Sequence, residues 1–174
     1  MQTALIIPVP AAEPAVAHHR AHLDRAASWG VPAHITVVHP FLPPDDITPE
    51  VITTLQAITT AHPLPAITLT RTAWFGDTVV WLAPDPAQPL ITLTEAITTA
   101  FPRALPYGGA FPEVVPHLTI AHDHPRPVLA QAATDVEAHL PLTAHITALH
   151  LIQGTPEPGP NWHTRHAFPL LRTV

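Results

Sequence analysis

Apolar and polar residues along the chain alternate between two periods. Residues 3–9, TALIIPV, form a short β-branched run of strand length. Residues 14–27 follow a helical pattern, with Pro14 in the first turn and Val16, Leu23, Ala26 and Ala27 as a weak apolar stripe. Trp29-Gly30-Val31-Pro32 ends that segment, and residues 34–38 read as a strand. Thr48 caps a helix that starts at Pro49 and runs to Ala61, with Val51, Ile52, Leu55 and Ile58 on one face. Pro63 and Pro65 break it, and 66–75 and 78–83 make a hairpin around Gly76-Asp77. Residues 88–101 are helical, 102–116 form a Pro/Gly-rich loop with Tyr107-Gly108-Gly109, and 117–121 are a strand. A helix at 127–139 and strands at 145–153 and 162–171 complete the chain.

This order repeats. Each half holds a strand, then a helix, then two strands, and HPLPAITLTRTAWFG at 62–76 is similar to HLPLTAHITALHLIQG at 139–154. The expected fold is α+β: one domain over 1–174, with two lobes related by a pseudo-twofold. Two small antiparallel sheets would flank a central cleft, with helices outside.

The two equivalent strands carry the same tetrad, His34-Ile35-Thr36-Val37 and His117-Leu118-Thr119-Ile120. Side chains alternate across a strand, so the His and Thr of each tetrad share a face about 7 Å apart, with the apolar pair behind. A third copy, His145-Ile146-Thr147-Ala148, has no symmetric partner and is set aside. The place of the first two in the duplication distinguishes them more than the motif does.

Composition narrows the chemistry. The chain has 14 histidines, 24 prolines, no cysteine and a net charge of −6, and its seven basic residues are all arginine. Disulfides, thiol catalysis and Cys-bound zinc are excluded. Without a basic run, non-specific binding of long nucleic acid is not expected. The N-terminus lacks the charged region of a signal peptide, and no apolar run reaches membrane-spanning length, so the expected setting is cytoplasmic. The clusters His18/His19/His22 and His122/Asp123/His124 raise the alternative of a histidine-rich metal-binding protein, but solvated histidines are the preferred reading and no metal is assigned.

Two imidazoles facing one phosphorus can act as base and acid, and two threonine hydroxyls can donate to its oxygens. The tetrads, 83 residues apart, and their flanks PAHITVVHPFLP and YGGAFPEVVPHLTIAH resemble the two-histidine phosphoesterase superfamily, which includes 2′-5′ RNA ligase-like proteins and cyclic phosphodiesterases. The resemblance implies His34 and His117 as the acid–base pair and Thr36 and Thr119 as phosphate binders. It also implies a 2′,3′-cyclic phosphate or 2′-5′ linked nucleotide as substrate, RNA ends among them, and no cofactor. A phosphate- or nucleotide-binding module without catalysis is the alternative. Several relatives carry an arginine shortly after the second tetrad, where this chain has His122 and then Arg126, so either is a candidate phosphate contact. Phe41, Tyr107 and Trp162 are candidate base-stacking residues, with packing as the competing role.

Overall fold

The computed structural model describes residues 1–110 and 113–171. Its strands are β1 (Gln2–Pro8), β2 (His34–Val38), β3 (Ile67–Phe75), β4 (Val79–Asp85), β5 (Leu118–His122), β6 (Leu142–Ala144), β7 (Ala148–Gly154) and β8 (His163–Pro169). Its helices are α1 (Glu13–Leu23), α2 (Arg25–Ser28), α3 (Pro49–Ala61), α4 (Gln88–Ala100) and α5 (Arg126–Glu137). The fold is α+β, with two four-stranded antiparallel sheets flanking a cleft, ordered β2-β1-β7-β8 and β5-β4-β3-β6.

The duplication sharpens the halves read from the sequence. The first unit is β1-α1-β2-α3-β3 and the second is β4-α4-β5-α5-β7, with β6 and β8 added as outer edge strands. Each unit lends its last strand to the other sheet: β3 pairs with β4, and β7 pairs with β1. The helices cross as well, α1 packing on β5 and α4 on β2. This exchange ties both units into one apolar core that includes Leu5, Ile7, Ile35, Leu82, Leu118, Ile120 and Leu149.

Two elements differ from the sequence reading. The predicted helix 14–27 breaks at Asp24, which is extended (φ −128°, ψ 116°) and caps α2 by accepting a hydrogen bond from the Ala26 N–H. Residues 142–144 form the short edge strand β6, paired to the start of β3, although Pro141 precedes them. The first strand after α5 therefore splits, leaving His145 exposed between β6 and β7 rather than on a strand. Phe111 and Pro112, inside the predicted loop, lie outside the described residues. Among the described residues no helix is long and apolar enough to cross a membrane.

Candidate active site

β2 and β5 are the inner edges of the two sheets and lie against each other. The tetrads follow the alternation that their sequence implies. Ile35, Val37, Leu118 and Ile120 are buried in the core, while His34, Thr36, His117 and Thr119 are partly exposed on the opposite face. Thr36 pairs with Ile6 of β1 and Thr119 with Trp81 of β4, so the two threonines occupy equivalent places in equivalent sheets.

Both rings are held the same way. The His34 Nδ1–H donates to the Pro32 carbonyl at 2.7 Å, and the His117 Nδ1–H donates to the Val115 carbonyl at 2.7 Å. A carbonyl only accepts, so this contact fixes the tautomer and leaves Nε2 of each ring as the working nitrogen. The surroundings differ. Burial first, then the nearby Arg20 guanidinium, lower the His34 pKa to about 4, against smaller opposing effects of Pro32 and Asp24. His117 is also lowered by burial, less the effect of its Val115 hydrogen bond. His117 sits among three rings: Phe75 edge-on at 4.9 Å, Trp81 at 5.8 Å and Tyr107 stacked at 6.4 Å. The Trp81 Nε1 is buried with no hydrogen-bond partner in the structure.

The other candidates fall in different places. Tyr107 is 40% exposed, hydrogen-bonds to the Thr36 side chain and stacks on His117, so it touches both tetrads. Its backbone is left-handed (φ 52°), and its N–H is anchored on the His39 carbonyl at 2.7 Å. Phe41 lies in the core, 6% exposed and edge-on to Phe101, because its backbone N–H is tied to the Thr3 carbonyl and the ring turns inward. Trp162 is 9% exposed, packed on Gly154 and stacked with Trp29, with its Nε1–H on the Thr155 carbonyl. Arg126 starts α5 behind the second sheet, where it covers Trp74 and pairs with Asp77.

His122 ends β5 and reaches the α1–α2 junction. Its Nδ1 is 2.9 Å from Asp123 Oδ2, and its Nε2 lies 3.2 Å from the Arg25 N–H and 3.4 Å from Asp24 Oδ1. Asp24 is in turn paired with buried Arg20 at 2.8 Å. The bond to Asp24 is the main cause of a raised His122 pKa, with burial opposing and Asp123 assisting. Burial alone would raise the Asp24 carboxyl, but His122, Arg20 and the Ala26 N–H outweigh it and hold the pKa low. This Arg20–Asp24–His122 network is not legible in sequence, since Asp24 lies 98 residues from His122 (122 − 24). A pocket of about 260 Å³ opens beside it, lined by His22, Asp24, Arg25, Ser28, His122 and His124 among others, and includes neither tetrad histidine. His18 makes edge contacts with His19 and His22, and the described residues contain no group of three or more side chains placed to hold a metal ion.

Two His-x-Thr tetrads thus stand on equivalent strands, each the inner edge of its sheet. The model of the 2′-5′ RNA ligase superfamily matches residues 8–156. The chain belongs to that superfamily. Among solved structures, TT0787 of Thermus thermophilus is similar at a TM-score of 0.67 and 16% identity, covering 98% of both chains. E. coli LigT complexed with 3′-AMP is similar at a TM-score of 0.58 and 18% identity, covering 97% of both. A protein described as a phosphoesterase is similar at 0.55 and 19% identity, covering 98% of each chain. At these identities the likeness is one of fold. No curated protein sequence matches the chain.

Proposed function

We propose that this member of the superfamily is a phosphoesterase that opens 2′,3′-cyclic phosphates or cleaves 2′-5′ linked nucleotides, with His34 and His117 as its acid–base pair. The observation that carries the reading is the matched fixing of both rings, Nδ1–H to a backbone carbonyl at 2.7 Å in each case, on the equivalent inner edge strands of the two sheets. LigT, a relative in fold, has been seen complexed with 3′-AMP, which supports a nucleotide-sized ligand.

In the forward step one imidazole takes a proton from water as the water oxygen bonds to phosphorus. The ribose oxygen leaves and receives a proton from the other imidazole, giving a phosphomonoester. His34 is the better candidate for the base. Burial and Arg20 keep it neutral, and its Nε2 lone pair is unencumbered by the Pro32 contact. His117 then supplies the transferable proton; its burial opposes the charged ring, and the negative charge of a bound phosphate favours it. Thr36 and Thr119 donate to the non-bridging oxygens, where charge accumulates. Run in the same direction with a nucleoside hydroxyl in place of water, the steps open a cyclic phosphate into a phosphodiester without ATP, and their reverse cleaves the diester back to the cyclic phosphate.

The test is turnover of nucleoside 2′,3′-cyclic phosphates in the presence of EDTA. Loss of activity by about 10²–10⁴-fold in both His34→Ala and His117→Ala is expected, the range for removing a general acid or base. Turnover unaffected by either substitution overturns the assignment. Tight nucleotide binding without turnover points to a binding module.

A further inference from the structure

The cleft needs positive charge to hold a phosphoester, yet the protein carries a net charge of −6 and no lysine. Its arginines can be accounted for one at a time. Six of the seven are among the described residues. Arg20 is buried against Asp24, Arg25 pairs with Asp123, Arg103 with Asp46 and Arg126 with Asp77, and Arg165 donates to Gln153 Oε1 and the Pro44 carbonyl. Among the described residues, Arg71 alone is an arginine with no hydrogen bond or ion pair.

Its position follows from strand register. Beyond the register shift between Leu69 and Arg71, the odd and even residues of β3 face opposite sides. Thr72 bonds Glu137 of α5, and Trp74 lies under Arg126 at the start of α5, so these face the helix. Phe75 stacks on Trp81 at 4.7 Å and meets His117, so it faces the cleft. Arg71, Ala73 and Phe75 share one side of the strand, paired with Ala83, Trp81 and Val79 of β4. Arg71 therefore stands exposed on the cleft face of the second sheet. It is two strand spacings, about 10 Å, from β5 and its tetrad.

We propose that Arg71 binds a second phosphate of the substrate, one nucleoside unit away from the phosphate held between the tetrads. The preferred substrate is then a nucleotide that carries another phosphate on its ribose, or an RNA end with its next phosphodiester, rather than a nucleoside with a single cyclic phosphate. The inference rests on the phosphoester reading of the cleft. It is specific because a negatively charged protein without a placed cation binds a doubly phosphorylated ligand less well than a singly phosphorylated one. A guanidinium, with its fork of N–H donors, suits a phosphate group.

Calorimetric titration with adenosine 3′-monophosphate and adenosine 3′,5′-bisphosphate at one fixed ionic strength tests it. The unaltered protein should bind the bisphosphate at least tenfold more tightly. Arg71→Gln should reduce that ratio to within twofold of one, and Arg71→Lys should keep part of it. Equal binding of the two probes by the unaltered protein, a ratio undiminished in Arg71→Gln, or binding of neither probe overturns the proposal. Bisphosphate preference without any cyclic-phosphate turnover removes the enzymatic reading and leaves the Arg71 site standing. Turnover without that preference does the reverse.

Discussion

Tyr107 lies stacked over His117, ring centres 6.4 Å apart and planes within 22°, while its side chain hydrogen-bonds to Thr36 of the opposite tetrad. One residue of the loop before β5 thus touches a member of each half of the duplicated site. Burial raises the phenol pKa, partly offset by the Thr36 contact, so the hydroxyl stays protonated at neutral pH. Tyr107→Phe keeps the ring and removes the link to Thr36. Its expected effect is a loss of a few-fold to tenfold in kcat/KM, the size of one net hydrogen bond of about 0.5–1.5 kcal/mol. Tyr107→Ala also uncovers His117 and should cost more. Steady-state kinetics of the two variants checks this ordering, and equal effects would assign the whole role to the hydroxyl.

The tetrad threonines are expected to act on kcat more than on KM. A hydroxyl aimed at oxygens that gain charge only in the transition state acts mainly on the rate. Thr36→Val and Thr119→Val should each lower kcat by about 10–10³-fold, the upper end being the cost of removing one oxyanion donor. Serine at either position should restore most of the rate. A pure KM effect would instead assign the threonines to ground-state binding.

The pH profile should distinguish free from occupied protein. In the free protein His34 titrates at about 4, because burial and Arg20 disfavour its cation. A bound phosphate brings negative charge beside the ring and favours the cation, so the pKa rises. The acid limb of kcat/KM, which reports the free protein, should lie at lower pH than the acid limb of kcat, which reports the complex. Removing the Arg20 charge is not a clean control, since it leaves Asp24 buried without its partner. The two limbs measured on the unaltered protein suffice, and coincident limbs would argue against His34 as the base.

Much of this is legible in the sequence because it is local. Strand and helix periods, the proline breaks and the Gly76-Asp77 hairpin depend on near neighbours, and the duplicated order sets His34 and His117 in equivalent positions. What is not legible depends on the exchange of β3 and β7 between sheets. That exchange puts Phe75 of the first unit beside His117 of the second and Arg71 on the cleft face. The inward turn of Phe41 and the location of Arg126 behind the sheet are likewise matters of which face an element presents. A residue type in a loop does not settle that.

His122 links the tetrad strand β5 to the α1–α2 junction through Asp24, and its charge should be visible in stability. Its folded pKa is raised, so the unfolded state holds the proton less tightly. The contribution is fully present below the unfolded value, near 6.5, and is lost as pH rises through the folded value. The neutral ring retains its Asp123 contact and accepts from the Arg25 N–H, so loss of charge weakens the junction without emptying it. His122→Gln should therefore lower Tm relative to the unaltered protein more at pH 5.5 than at pH 8.5. A gap independent of pH would mean that His122 acts only by packing.

Gly154, the last residue of β7, is packed directly by Trp162. A Cβ built there lies 2.4 Å from the Trp162 Cγ and 2.7 Å from two further ring atoms, so the indole rests on bare backbone. The tryptophan cannot shift freely, because its Nε1–H is held by the Thr155 carbonyl at 2.8 Å and its other face stacks on Trp29 at 6.3 Å. Gly154→Ala should then cost about 1–3 kcal/mol, the range for overpacking a filled site. For a chain of this length each kcal/mol lowers Tm by roughly 2–4 °C. The same variant separates two roles for Trp162. A ring whose work is to pack the first sheet gives a loss in Tm with unaltered KM once the protein is folded. A ring that also receives a nucleobase gives a rise in KM at temperatures where the variant remains fully folded.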